Sequence, residues 1–323
     1  MFYRTDAKLL SFGWSERNLY AFVSIESFAC IIALYRFTTM GTLKRFEEKI
    51  SALKSLRTTP VHMVHDDYGK LRTRMLIQSI LIPIFFILTS TYLVANQIVL
   101  FDTTQQSAWY FYYDAGVSLL CGYVNVLYLP VHSILHHGMA REFEVFNEEL
   151  ENASKNKELS RPTVIRAFGD RQVQLFEFTN HMTSRLTRMM NYAPFSILTA
   201  TANVTFLVFS VSSQSSLLYW FCLLGEMIAC TLISSSLLYP PAYVQETMLK
   251  TSTILMSDAS LQHSPDASVY QSYRMMVDRS LHNRTTNTVI HVFSVTRKNV
   301  ERAYFVITQI VLVMTVFYNL TFP

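Results

Sequence analysis

The feature that most constrains this chain is its last long apolar run, Ala303–Leu320, which contains no charged residue. In a helix, which rises about 1.5 Å per residue, the eighteen residues of this run are just long enough to cross a hydrocarbon core of roughly 30 Å. No water in that core can pair with a stray backbone amide. The run is therefore predicted to be a membrane-spanning helix.

The polar residues of this run recur at helical spacing, which predicts a helix with one polar face. The face consists of Tyr304, Thr308, Thr315 and Asn319, with Leu312 completing the stripe. In a membrane helix, such a face turns toward other protein or toward water. The stripe alone favours hydrogen bonding between helices, and the alternative is the wall of a pore.

Composition and five further apolar runs place the chain among all-α polytopic membrane proteins. Half of its 323 residues are hydrophobic and 15% are charged, which is typical of this class. The other predicted spans are Asn18–Tyr35, Leu76–Phe101, Tyr113–Leu135, Tyr192–Val211 and Leu217–Tyr239. The sequence therefore predicts six transmembrane helices.

The distribution of basic residues predicts the orientation of these helices. Lys and Arg number eight in Thr39–Met75, eight in Gly138–Met190 and seven in Pro240–Arg302, and none lies in the two short loops or after Leu320. By the positive-inside rule, the three long loops are cytoplasmic and the C-terminus is extracellular. With six spans the N-terminus is also external, and its three cations are the one discordant point.

Periodicity within the long loops predicts helical cytoplasmic extensions. Phe143, Phe146 and Leu150 repeat at helical spacing opposite a row of acids, so the third span should continue into the cytoplasm. Val164–Met190 is helix-like and leads into the fourth span, whereas Pro240–Pro241 is predicted to end the fifth.

We therefore divide the chain into three parts. Residues 1–240 form a helical bundle with cytoplasmic helical loops at 39–75 and 138–190, residues 241–302 form a cytoplasmic anchor-type segment, and residues 303–323 form the final, candidate pore-lining helix.

Polar residues inside the third and fifth spans mark a candidate ligand pocket. Asp114 and Ser118 lie at the outer end of a polar stripe on the third span, and Glu226 is the most costly residue of the fifth. These groups can border a water-filled ligand cavity, or they can form hydrogen bonds between helices. We expect Asp114, Ser118 and Glu226 to border a small-molecule pocket.

No metal or cofactor is predicted, and an enzyme is the least favoured reading. The cluster His132-x-x-x-His136-His137 resembles a histidine box of membrane di-iron desaturases and hydroxylases. Those enzymes need several such boxes, because two irons require many imidazole ligands. Interfacial histidines at a helix end are the favoured interpretation, and no nucleic-acid partner is expected.

Two stretches near the C-terminus resemble the insect gustatory and odorant receptor superfamily, including its nematode gustatory-receptor-like members. Phe293-Ser294-Val295-Thr296-Arg297 is similar to the family lead F-x-[LIV]-[DNT]-R. Residues 308–316 follow the spacing of the T-Y, five hydrophobics, Q-F signature: Thr308 and the hydrophobics stand, whereas Gln309, Thr315 and Val316 replace the tyrosine, glutamine and phenylalanine.

This resemblance implies a seven-helix subunit of a tetrameric, ligand-gated, non-selective cation channel in the plasma membrane, against six spans counted here. Four copies of the last helix, homomeric or heteromeric, would line the pore, with Thr308, Leu312, Thr315 and Asn319 facing inward. The ligand pocket would lie in the outer half of each subunit. The main alternative is a G-protein-coupled chemoreceptor, which the missing D-R-Y and N-P-x-x-Y motifs and the predicted external C-terminus oppose.

Overall fold

A computed structural model of the chain describes residues 12–57, 68–104, 109–190, 192–210, 217–282, 288–289 and 293–321. Its helices are α1 (Phe12–Thr39), α2 (Thr42–Ser55), α3 (Gly69–Thr104), α4 (Trp109–Lys155), α5 (Pro162–Met190), α6 (Tyr192–Ser210), α7 (Leu217–Ser257), α8 (Ala259–Gln262), α9 (Ala267–His282) and α10 (Arg297–Thr321). A 3-10 turn at Glu158–Ser160 precedes α5, and the two-residue strands β1 (Thr288–Val289) and β2 (Phe293–Ser294) pair antiparallel before α10.

Among these described residues, six helices are long and apolar enough to cross a membrane, which confirms the predicted all-α fold. They are α1, α3, α4, α6, α7 and α10, with mean hydropathy between 1.4 and 1.8. Large aliphatic side chains such as Ile84, Leu88 and Leu120 are exposed on the outside of the bundle. In a bilayer these side chains face lipid, so close packing and polar contacts hold the helices together.

The bundle is organised around α4 and α7. Helix α3 packs against both of them, α1 packs against α4 and α6, and α10 packs against α6 and α7. Tyr128, Phe86 and Phe206 are among the largest fully buried side chains at these contacts. Gly225 allows the close approach of α3 and α7, because a Cβ atom there would lie 2.6 Å from Phe85 Cδ1.

The prediction that Pro240–Pro241 ends the fifth span is wrong, because α7 continues through both prolines to Ser257. Pro241 has no N–H, so it leaves the carbonyl of Leu237, four residues earlier, without its helical partner. His132 Nε2 lies 3.2 Å from that carbonyl oxygen, while His132 Nδ1 lies 3.1 Å from the Tyr128 hydroxyl. Since a carbonyl oxygen only accepts hydrogen bonds, Nε2 carries the proton of the His132 ring. The side chain of His132 on α4 therefore replaces the backbone hydrogen bond that Pro241 cannot make.

The long helices continue beyond their apolar spans into a second layer, which we call the helical base. It consists of α2, α5, α9 and the C-terminal halves of α4 and α7. Phe143, Phe146 and Leu150 are fully buried there, which confirms the predicted helical extension of the third span. The rings of Phe143 and Phe176, on α4 and α5, are centred 5.5 Å apart.

Polar contacts between distant parts of the chain fix the register of the helical base. Asn147 Nδ2 donates to the Thr247 carbonyl at 2.8 Å, and the Thr251 hydroxyl donates to Asn147 Oδ1 at 2.7 Å. Arg57 makes a two-pronged contact with Glu142, and Arg171 binds Glu149. Because buried polar groups without partners are costly, these bonds select one alignment of α4 against its neighbours.

Asp258 joins the end of α7 to the end of α4. It accepts hydrogen bonds from the Ser154 hydroxyl at 2.6 Å and from the Ser260 backbone N–H at 3.0 Å, which caps α8. Burial raises the pKa of the Asp258 carboxyl, but the hydrogen bonds from Ser154 and Ser260 outweigh it and leave this pKa below its ordinary value.

Candidate functional site

The polar stripes of α4 and α7 face the interior of the bundle, because polar groups on a membrane helix are costly where they face lipid. On α4 the buried members of the stripe are Ser118, Cys121, Asn125, Tyr128 and His132. On α7 they are Tyr219, Cys222, Glu226, Cys230 and Ser234. The side chain of Asp114 lies outside the described part of the chain, so its proposed place in the pocket stays a prediction.

Glu26 on α1 is a buried carboxylate whose oxygens are well supplied with donors. It accepts from Asn125 Nδ2 at 3.1 Å, from the Ser27 hydroxyl at 3.1 Å and from the Cys30 thiol at 3.1 Å. These bonds join α1 to α4. Glu26 was not among the residues predicted for the site, although a single acid inside an apolar run is itself a sign of a specific interior contact.

Glu226 on α7 differs from Glu26 because no described residue supplies a donor to its carboxyl oxygens. It is fully buried, and one turn or more before it on α7 the Tyr219 hydroxyl donates at 2.8 Å to another acid, Glu16 on α1. An isolated carboxyl group in such surroundings is costly unless a ligand, water or proton meets it.

The predicted pocket residue Ser118 shares this lack of a partner. Its hydroxyl is fully buried and forms no hydrogen bond to the described residues. Cys121, about one helical turn further along α4, donates from its thiol to the Val23 carbonyl of α1 at 3.7 Å. The predicted pocket residues Ser118 on α4 and Glu226 on α7 are thus both buried without a hydrogen-bond partner among the described residues, and their place in a common pocket stays a prediction.

The histidine cluster has a structural role. His132 completes the α7 backbone as described above, and His136 Nδ1 lies 2.9 Å from the His132 carbonyl oxygen. Within the described ranges, no group of three or more His, Cys, Asp or Glu residues is placed to hold a metal ion.

The final helix contacts the bundle along one side. Val300, Val311 and Tyr318 form its buried face. Next to this face, the Tyr304 hydroxyl lies 2.7 Å from the Ser234 hydroxyl, and the Ser210 hydroxyl donates to Thr315 at 3.1 Å. One edge of the predicted polar stripe therefore makes hydrogen bonds inside the chain.

The rest of the stripe is uncovered. Thr308, Asn319 and the motif residue Gln309 are exposed, and 59% of the surface of Leu312 is accessible. Beside the stripe, Val311 is buried, whereas Val313 is 52% exposed in the single chain.

The remaining motif residues shape the start of α10. Phe293 pairs with Val289 in the short ladder, and Thr296 Oγ1 accepts from the Asn299 N–H at 3.2 Å, which satisfies one free amide of the first turn. Arg297 forms an exposed ion pair with Glu301 at 3.3 Å. These contacts direct the chain into α10.

Two cavities lie among the spans, and neither is lined by Ser118 or Glu226. One, of about 590 Å³, is a mainly apolar groove between α1, α6 and α10. The other, of about 410 Å³, lies between α3, α4, α7 and the start of α10 and carries basic side chains.

Comparisons with known proteins identify a sequence family and a similar fold. Residues 1–311 match the family described as "Caenorhabditis protein of unknown function, DUF267". The structure is similar to that of the insect olfactory receptor OR5 from Machilis hrabei, with a TM-score of 0.64 and 11% identity over 94% of this chain and 81% of that one. It is also similar to OR5 in complex with eugenol, with a TM-score of 0.57 and 13% identity over 90% and 78% of the two chains. No curated protein matches the sequence.

Proposed function

The chain belongs to the Caenorhabditis family DUF267, and we propose that it is a chemosensory receptor that acts as a subunit of a ligand-gated, non-selective cation channel. The support is the shared fold with insect olfactory receptor OR5. At 11% identity this likeness carries the architecture alone, so the activity needs an argument from the chain itself.

The observation that carries the proposal is the uncovered polar side of α10. In its most apolar stretch 11% of the residues are buried, against 72% for α6. Thr308, Gln309 and Asn319 would lose hydrogen bonds to water if that side faced lipid. Burial against other subunits around an aqueous path removes this loss, and a homomeric or heteromeric tetramer with Thr308, Leu312, Thr315 and Asn319 toward the pore is the arrangement that we propose.

The polar interior of the bundle supports a small-molecule site as the trigger. Ser118 and Glu226 are buried without partners among the described residues, and we place Asp114 at the outer end of the same stripe. One of the similar OR5 structures was solved with eugenol, which supports a ligand of that size here. A ligand that binds between α4 and α7 can act on α10, because α10 packs directly on α7.

The orientation follows from the basic loops: the helical base on the cytoplasmic side of the plasma membrane and the C-terminus outside. The anchor-type segment 241–302 then supports α10 on the cytoplasmic side. The proposed mechanism includes no catalytic step and no cofactor.

The experiment that tests this function expresses the full chain with a C-terminal epitope tag and measures cation influx on addition of small odorants, with eugenol as the first probe. We expect labelling of the tag on intact cells and influx that survives block of G-protein signalling. Labelling only after permeabilisation, with influx that needs G proteins, would instead establish the G-protein-coupled alternative.

Replacing Glu226 by glutamine is expected to shift the half-maximal ligand concentration about tenfold. The substitution keeps the size of the side chain but replaces the carboxyl group by an amide and so changes its hydrogen-bonding pattern, which is worth roughly 1–3 kcal/mol for a buried group. Dose–response curves of the cation influx and surface labelling measure the effect. Asp114→Asn should act in the same direction.

Thr231→Val is the matched control for this experiment. Thr231 lies on the same helix but is exposed, and its hydroxyl donates back to the Met227 carbonyl at 2.8 Å. Its dose–response curve should stay unchanged. Unshifted curves for both Glu226→Gln and Asp114→Asn at normal surface expression would remove the pocket from the proposal.

A further inference from the structure

The cavity of about 410 Å³ beside α3 is lined by basic side chains, unlike the proposed ligand site. It lies between the N-terminal end of α3, the middle of α4, the stretch around Pro240 on α7 and the first residue of α10. Its walls include side chains from four helices, which gives it a defined shape. None of the residues proposed for the ligand pocket or the pore lines this cavity.

Three basic side chains converge on this cavity from two helices. Lys70 and Arg74 stand one helical turn apart on α3, and Arg297 opens α10 on the opposite side. Among the described residues that line the cavity, Glu246 is the one acid. The cavity therefore carries net positive charge, and like charges held this close repel one another unless an anion lies between them.

The two α3 cations are available for such an anion. Neither Lys70 nor Arg74 forms an ion pair with any residue that the structure describes, and both are exposed. Arg297 pairs with Glu301, but this pair is itself exposed and therefore weakly held. Guanidinium groups offer a planar fork that matches phosphate oxygens, and a lysine ammonium adds a point charge.

A neutral donor completes the inner wall. Gln78 lies two helical turns beyond Lys70 on α3, is buried, and forms no hydrogen bond to another described residue. Its amide can donate to an oxygen that the cations draw into the cavity. Leu71, Met75 and Ala242 are among the apolar residues of the wall, and Ser133 and Tyr243 add hydroxyl groups to it.

The position of the cavity relative to the membrane favours an amphiphilic occupant. Lys70 and Arg74 lie in the two turns of α3 before its apolar part begins at Leu76, and Arg297 lies six residues before the charge-free run of α10 begins at Ala303. The cations thus mark the bilayer boundary, on the side of the helical base. Basic pockets between transmembrane helices at this depth bind phosphorylated lipid headgroups.

We propose that this cavity binds a phosphate-bearing anion, with Lys70, Arg74 and Arg297 contacting the phosphate oxygens and Gln78 donating from the inner wall. The same chemistry has two sources, the headgroup of a phosphoinositide in the adjacent leaflet and a free inositol phosphate. An anion held here links α3 to the first turn of α10.

The test uses the full chain reconstituted in phosphatidylcholine nanodiscs. One arm adds a few mole per cent of phosphatidylinositol bisphosphate, or phosphatidylserine at equal total charge, and counts retained lipids by native mass spectrometry. The other arm measures binding of soluble inositol trisphosphate by equilibrium dialysis. The test variant is Lys70→Gln/Arg74→Gln. The control is Arg45→Gln/Lys49→Gln, which removes one lysine and one arginine, also exposed and four residues apart, from α2.

We expect selective retention of the bisphosphate lipid over phosphatidylserine and a loss of about thirtyfold in affinity in the Lys70/Arg74 variant, since each basic residue near an anionic membrane surface contributes roughly 1 kcal/mol. Arg45→Gln/Lys49→Gln should bind like the unaltered chain. Binding of the soluble trisphosphate with equal affinity assigns the site to a free phosphate, and its failure to bind assigns the site to the lipid. Equal retention of phosphatidylserine, or equal losses in both variants, would overturn the proposal.

Discussion

Replacing Arg57 by methionine is expected to destabilise the protein by roughly 3–5 kcal/mol, one of the two largest effects that the structure predicts. Arg57 Nη2 and Nε contact the two carboxyl oxygens of Glu142 at 2.6 and 3.3 Å, and the two side chains are 0% and 3% exposed. Removing the guanidinium leaves the Glu142 carboxylate buried beside no opposite charge. The loss is measured as a lower apparent melting temperature and lower yield of folded protein in detergent.

Two controls make this result specific. The double variant Arg57→Met/Glu142→Met removes both charges and should recover most of the stability, because no isolated charge then remains. Arg274→Met, which removes one member of an exposed pair with Asp278, should change stability by less than about 0.5 kcal/mol. An Arg57→Met protein as stable as the unaltered chain would show that water reaches Glu142.

Cysteines introduced singly at Thr308 and Leu312 are expected to react with small water-soluble thiol reagents and to block nearly all of the ligand-evoked current. Both positions are exposed on the face of α10 that we place along the pore, where an added group obstructs the ion path. Thr315 should react more slowly, since it accepts a hydrogen bond from Ser210 at the edge of the packed face. Recordings before and after reagent measure the block.

Val311 and Val313 provide two different controls for this scan. Val311 is buried inside the single chain, so a cysteine there should be unreactive in any assembly. Val313 is exposed in the single chain but lies off the polar stripe, so its cysteine should remain unmodified or react without blocking. Block from Val313 equal to that from Thr308 would mean that α10 has no distinct pore face.

Lengths and periodicities in the sequence were enough to predict the helices and their inward faces. Two examples are the charge-free run Ala303–Leu320 and the helical spacing of Phe143, Phe146 and Leu150. Both patterns depend on the geometry of one helix and not on how that helix packs against others. For the same reason, the expectation that the stripes of Ser118 and Glu226 face away from lipid agrees with the burial of both residues. That Ser118 and Glu226 border a ligand pocket stays a prediction, which rests on the cost of an acid in a membrane span.

The tertiary structure decided which of these polar groups find partners. Glu26 and Glu226 look alike in the sequence, yet Asn125 reaches the first and no described residue reaches the second. Helix α7 passes through Pro240–Pro241 because His132, 105 residues away, meets the carbonyl that Pro241 leaves free. Such contacts depend on how separate helices are rotated and aligned against one another, and that is decided by packing over the whole bundle rather than by any local stretch of chain.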